Sequence, residues 1–249
     1  MIKSRESLAI DCKHCMVRHV CLAQDISIAD IEELNSLITH VRCIEKKNHV
    51  YHLHDPLNNL YAIHSGSCKE YGIDSNGNEF IVNFYFPGDI IGLETISTQR
   101  YLYYMTALED LELCVLPLNK FLKTMHRKPN IMRRVLHLAS VKMQYERSVR
   151  LGSTAHERVC DFLLNIVNRM YQRKPNETEI CLPMSQIEIS NFLGIAYETV
   201  NRVFQNLKKK NIIVMRNKTL EVLDLGRLED LGKLDYSVMN NIPPVVEPL

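Results

Sequence analysis

The feature that most limits what this chain can fold into is a change of hydrophobic period near residue 118. Between about 41 and 118 the texture is β. Val41 to Val50, Leu60 to His64, Cys68 to Ile73, Phe80 to Phe86, Tyr101 to Leu108 and Glu112 to Leu116 are short strand-like runs split by turn signals. Asn76-Gly77 is the strongest hairpin signal, and Asp55-Pro56, Ser65-Gly66 and Pro87-Gly88-Asp89 mark further turns. Short strands at this spacing predict a closed antiparallel barrel or roll. From Leu118 to Arg150 there is no glycine and a single proline, Pro129. There Met132, Leu136, Ala139 and Met143 recur every three or four residues, as on one long amphipathic helix. A small barrel cannot cover a helix of that length. The stripe is therefore expected to be a dimer seam, the other reading being an ordinary domain-packing helix.

Around this switch the chain divides into expected zones. Residues 1–25 bear cysteines and show little periodicity. Residues 26–120 form the roll, opened by a short helix with Ile31, Leu34, Leu37 and Ile38 at helical spacing. Residues 121–152 form the dimerisation helix, and 153–228 a second domain in which His156 to Met170 is helical with Val159, Phe162, Leu163 and Ile166 inward. Gln172 to Thr178 is a polar loop, and 229–249 a loosely ordered tail. The fold class is α+β. No apolar stretch approaches the ~20 residues of a membrane span, and Met1 to Asp11 has no apolar leader, so a cytoplasmic, membrane-free protein is expected.

The second domain carries a DNA-binding pattern. Ser185-Gln186-Ile187-Glu188 is a capping box, followed by Ile189, Phe192 and Leu193 at helical spacing and by Gly194, which permits the positive φ of a tight interhelix turn. A second helix begins near Ala196. Val200, Val203, Phe204 and Leu207 form its apolar stripe, and Glu198, Asn201, Arg202 and Gln205 share its polar face. Arginine bonds guanine bidentately, glutamate accepts from cytosine N4, and asparagine or glutamine pairs with adenine. The whole chain has a net charge of only +1, yet residues 198–218 carry +5, from Arg202, Lys208, Lys209, Lys210, Arg216 and Lys218 against Glu198. Such local charge suits phosphate contacts. Ser185 joins the DNA-contacting candidates. Ile212 to Met215 and Leu220 to Leu223, joined by Arg216-Asn217-Lys218, read as the wing of a winged helix.

Of eight cysteines, three fall within ten residues, as Cys12, Cys15 and Cys21. Without export a disulfide framework is not expected, so the triplet reads as metal or redox chemistry. Tetrahedral zinc or an iron–sulfur cluster wants four ligands, and the fourth must come from far along the chain. A zinc knuckle and unligated thiols are the other readings. His14 and His19 are possible ligands that more often serve as solvated neighbours, and His49, His52 and His54 read as strand-surface residues. A dithiol redox enzyme would need Cys12 and Cys15 at a helix start after a strand, and no strand precedes them; the chain is not read as an enzyme.

A β-roll, a long helix, a C-terminal winged helix-turn-helix and an N-terminal cysteine triplet together resemble the CRP/FNR family of bacterial transcription regulators, and most closely its oxygen-responsive FNR branch. The likeness runs from residue 12 to about 225. It rests on the cysteine spacing, on Leu60 to Gly66, Pro87 to Gly92 and Ala107 to Asp110, and on Ile189 to Gly194 and Glu198 to Arg202. The resemblance implies that the roll is cyclic-nucleotide-binding-like. It implies that Cys114 completes Cys12, Cys15 and Cys21 as ligands of an oxygen-labile [4Fe–4S] cluster. It also implies a homodimer that binds an inverted repeat of TTGAT-like half-sites and acts with RNA polymerase as activator or repressor of anaerobic genes. The branch usually reads Glu-Thr-x-Ser-Arg where this chain has Asn201 in place of serine. Cyclic-nucleotide binders carry an Arg-Ser or Arg-Thr pair where this chain has Arg100-Tyr101, so cyclic AMP is not an expected effector. The other expectation is a regulator of the same fold with zinc or no metal and a small-molecule effector in the roll.

Overall fold

The computed structural model describes residues 11–150, 154–173 and 179–233, with the side chains of 147–150 and 171–173 outside the description. Most of the expected polar loop and the tail from 234 onward lie outside the described residues. The chain divides into two compact units, residues 1–139 and 140–249.

In the first unit α1 (Ile28–Leu37) is capped by Ser27, whose hydroxyl accepts from the Asp30 amide at 3.1 Å. Eight strands follow: β1 (Val41–Ile44), β2 (His49–Tyr51), β3 (Asn59–Ser65), β4 (Cys68–Ile73), β5 (Glu79–Tyr85), β6 (Ile90–Ile91), β7 (Tyr104–Ala107) and β8 (Leu111–Pro117). They form two antiparallel four-stranded sheets, ordered β1-β8-β3-β6 and β2-β7-β4-β5. The expectation of a closed barrel or roll thus resolves to a roll of two sheets. Leu60, Ile63, Tyr85, Ile91, Met105, Leu111 and Leu113 fill its core. The expected run Val41 to Val50 is two strands in different sheets, because the chain reverses through Lys47 at φ 71°. The β4–β5 hairpin turns at Asn76-Gly77, where Asp74 accepts the Asn76 and Asn78 amides at 2.8 and 2.9 Å. Gly66, at φ +79°, could carry no side chain, since a Cβ there would sit 2.2 Å from the Asp110 carbonyl oxygen.

The stretch from 118 to 150 is not one helix. It comprises α2 (Leu118–Arg127) and α3 (Pro129–Arg150), parted at Lys128 with φ −125° and ψ 85°. The cause is Pro129, whose ring excludes the helical conformation from the residue before it and which then starts the next helix.

The second unit holds α4 (Ala155–Arg173), β9 (Glu179–Cys181), α5 (Gln186–Leu193), α6 (Tyr197–Lys209), β10 (Ile213–Arg216), β11 (Thr219–Val222) and α7 (Leu225–Leu231). Val159, Phe162, Leu163 and Ile166 are buried as the spacing predicts, together with Ile189, Leu193, Val200, Phe204 and Leu207. The wing has a third strand that alternation did not reveal: β9, only three residues long, pairs with β11. The β10–β11 turn is tighter than expected, two residues with Asn217 at φ 55°.

Candidate metal centre and nucleic-acid interface

Residues 11–25 are held by local turns. The His14 amide donates to the Asp11 carbonyl at 3.1 Å, Arg18 to Cys15 at 3.0 Å and Gln24 to Cys21 at 3.2 Å. The Cys12 amide reaches across to Asn35 Oδ1 on α1 at 3.2 Å. On the roll, Cys114 in β8 pairs with Ala62 in β3 and with Val41 in β1. The side chains of Cys12, Cys15, Cys21 and Cys114 line one cleft of about 470 Å³ including its open mouth, among Val17, Leu22, Ala23, Leu34, Ile38, Ile63 and Leu116.

Burial, and then Cys21 and Cys15, push the Cys12 thiol up to about 12; burial lifts Cys21 to about 11, against the Leu22 amide and with Cys15. Cys114 moves further in the same direction, through burial and then the other cysteines of the cleft. Cys15 differs. Burial raises it, but the His64 imidazole and the Val17 amide outweigh that and hold it below the ordinary thiol value. Cys15 in turn lifts His64 to about 9, aided by Glu112. His64 Nδ1 lies 3.1 Å from Glu112 Oε2, which also accepts from the Ser65 hydroxyl at 2.9 Å.

Four soft sulfur donors around a cleft that is apolar apart from Arg18 and His64 fit an iron–sulfur cluster, since thiolates crowded together without a cation repel one another. Among the described residues no group of three or more His, Cys, Asp or Glu is arranged to hold a single metal ion. The four cysteines thus line one cleft without being grouped as an ion site. His14 and His19 are exposed and absent from the cleft; His14 pairs with Asp11 at 2.6 Å. The histidine that does line it is His64, which alternation along β3 places on the same face as Ala62. Of the other cysteines Cys68 and Cys160 are buried, whereas Cys43 and Cys181 are exposed.

A buried arginine behind the last cysteine is a further feature that periodicity did not flag. Arg134 of α3 donates from Nε to the Cys21 carbonyl at 3.2 Å and from Nη2 to Gln24 Oε1. On the same helix Met132, Leu136 and Met143 are 46%, 59% and 62% exposed, with Ala139 half-buried.

In the second unit the capping box forms as read. The Ser185 hydroxyl accepts from the Glu188 amide at 3.2 Å and donates to Glu188 Oε2, and the Ser185 amide donates to the same carboxylate at 2.8 Å. Gly194 adopts φ +60° between α5 and α6, and Arg158 of α4 donates to the Leu193 carbonyl beside it. Glu198, Arg202 and Gln205 are exposed on α6, Asn201 is half-buried, and Lys208, Lys209 and Lys210 end the helix partly or fully exposed. Lys218 in the wing turn is committed to the Pro183 carbonyl. A helix that presents glutamate, arginine and glutamine on one exposed face and ends in three lysines is chemistry for double-stranded DNA.

Residues 157–231 match the family described as the Crp-like helix-turn-helix domain, and residues 41–128 the cyclic nucleotide-binding domain. Over 226 residues the chain is 30% identical to the transcriptional regulatory protein btr of Bordetella pertussis and 29% identical to the transcriptional activator protein anr of Pseudomonas aeruginosa, covering 90% of this chain and 93% of each relative. It is 28% identical over 227 residues to the fumarate and nitrate reduction regulatory protein of Yersinia pestis, covering 90% of this chain and 91% of that one. The solved structure of FixK2 from Bradyrhizobium japonicum has the same fold, with TM-score 0.69 at 24% identity over 78% of this chain and 98% of that one. No helix among the described residues is long and apolar enough to cross a membrane.

Proposed function

The chain belongs to the CRP/FNR family of transcription regulators, on its FNR branch, and from that premise we propose that it is an oxygen- and redox-responsive regulator whose Cys12, Cys15, Cys21 and Cys114 hold a [4Fe–4S] cluster. The observation that carries this reading is the convergence of those four thiols, three from the N-terminal turns and one from β8, on one cleft. A cluster bound there supplies an oxygen-labile tie between the two chain segments. The protein's own groups do the rest. Asn35 holds the Cys12 amide, His64 attends the Cys15 sulfur, and Cys114 offers the fixed point on the roll.

Met132, Leu136, Ala139 and Met143 pair with the same stripe of a second copy. The dimer presents two α6 helices to an inverted repeat with half-sites about one helical turn apart, close to TTGAT. Arg202 donates to guanine O6 and N7, Glu198 accepts from cytosine N4, and Asn201 and Gln205 face neighbouring bases. Ser185, Lys208, Lys209 and Lys210 hold phosphates. The regulator acts in the cytoplasm on anaerobic genes together with RNA polymerase. Arg100 donates to the His54 carbonyl at 2.9 Å and is followed by Tyr101, which supports an effector other than cyclic AMP.

The test is iron and acid-labile sulfide in protein purified without oxygen. The wild type is expected to be brown. Cys12→Ala, Cys15→Ala, Cys21→Ala and Cys114→Ala each lose the cluster, while alanine at Cys43, Cys68, Cys160 or Cys181 leaves it. Full cluster content in Cys114→Ala refutes the fourth ligand, and a colourless wild type refutes the cluster.

A further inference from the structure

The first turns of α3 have two sides. Met132 and Leu136 face solvent, while Ile131, Arg134 and Val135 are 0%, 4% and 7% exposed. Ile131 and Val135 belong to the same core as Leu22 and Ala23, the residues that follow Cys21. Among the described residues Arg134 is the one buried lysine or arginine. Its guanidinium spans a single turn of the cysteine-bearing segment. Nε bonds the Cys21 carbonyl and Nη2 the Gln24 side chain, and that turn is itself closed by the Gln24 amide on the Cys21 carbonyl.

A buried guanidinium is a poor way to gain stability, because an apolar side chain of similar volume commonly does as well. What it provides is geometric dependence. Its donors lie in a rigid planar fork, so they are satisfied only while their acceptors keep their places. If the Cys21–Gln24 turn shifts, a buried cation loses its acceptors, and either the arginine must leave the core or the helix must reseat. The apolar stripe of α3 lies on the other side of that same helix.

We propose that Arg134 is the positioning residue through which the turn at Cys21 sets the seating of α3 and so the presentation of its exposed apolar stripe. This rests on the cluster reading for what moves the turn: with its sulfur held, Cys21 keeps its carbonyl on Arg134, and with the sulfur released the clamp loosens. By reciprocity, pairing of the stripe with a second copy steadies the Cys21 turn.

The experiment measures dimer dissociation by sedimentation equilibrium on full-length protein, before and after exposure to air. In the wild type air raises the dissociation constant at least about tenfold, within the usual range of coupling between sites. Arg134→Met keeps the length and volume of the side chain without its donors. It is expected to load wild-type iron and sulfide while its response to air shrinks below about threefold, and Arg134→Lys, with one movable donor group, falls between. Gln24→Leu breaks the clamp from the other side with α3 untouched, and moves the response the same way even if Arg134→Met does not fold. Hydrogen exchange at residues 131–136 reads the clamp independently of any cluster and is faster in Gln24→Leu. A colourless wild type sinks the cluster reading alone. Unaltered exchange in Gln24→Leu, or a full response to air in iron-loaded Gln24→Leu or Arg134→Met, overturns the role of Arg134.

Discussion

Leu136 offers a quantitative test of the dimer seam. It is 59% exposed in the protomer. Complete burial of a leucine is worth about 1.5–3 kcal/mol, so about 1–2 kcal/mol remains to be gained when a partner covers it. A two-fold interface contains the residue twice, which makes about 2–4 kcal/mol per dimer. Alanine retains its methyl group and forfeits most of that, about 1.5–3 kcal/mol, a rise of roughly ten- to a hundredfold in the dimer dissociation constant. Leu136→Glu should go further, because it sets two carboxylates in an apolar seam. The protomer itself should scarcely notice Leu136→Ala, since truncating an exposed side chain changes stability by about 0.5 kcal/mol or less. Sedimentation equilibrium without oxygen measures the first quantity, and denaturation at a concentration where both proteins are monomeric measures the second. An unchanged dissociation constant would show that the stripe is not the seam. A large loss of protomer stability would show that Leu136 is packed within the protomer.

Further outcomes follow from the two units taken separately. Arg202→Ala should cost about 1–3 kcal/mol at one base pair and relax discrimination there, whereas Lys209→Ala should weaken all sequences alike and lower the salt slope by about one; equal weakening of cognate and guanine-altered sites by Arg202→Ala would make Arg202 a phosphate anchor. Asp30 is buried, which raises its carboxyl, yet Asn130, Ser27 and Lys128 outweigh burial and hold it below the ordinary aspartate value. Asn130 and Lys128 stand 3.1 and 3.2 Å from its oxygens. A depressed folded value means stability that is fully present above the unfolded value of about 3.9 and lost as pH falls through the folded one. Asp30→Asn should therefore lower stability at neutral pH and flatten the acid limb below about pH 4; parallel acid limbs in the two proteins would contradict the assignment.

What was legible in the sequence is what neighbours within one turn decide. The Ser185–Glu188 capping box, the positive φ of Gly194 and the buried stripe of Val200, Val203, Phe204 and Leu207 are relations of three or four residues, and they appear in the structure as read. The cysteine triplet was visible for the same reason. The fourth cysteine of the cleft, Cys114, was singled out only by resemblance. Cys43 and Cys114 each stand alone in a short strand run, yet one is exposed and the other buried. The difference lies in the pairing of β8 with β3 and in the segment that covers that sheet, neither of which is encoded near the residue. The single run from Val41 to Val50 was divided between two sheets by the same kind of distant pairing. Arg134 sits in a helical pattern like any surface arginine, and only the packing of α3 on residues 21–24 turns it inward. Local periodicity fixes which side chains share a face. Which face is covered, and by what, depends on contacts closed across a hundred residues of chain, and only the assembled structure decides them.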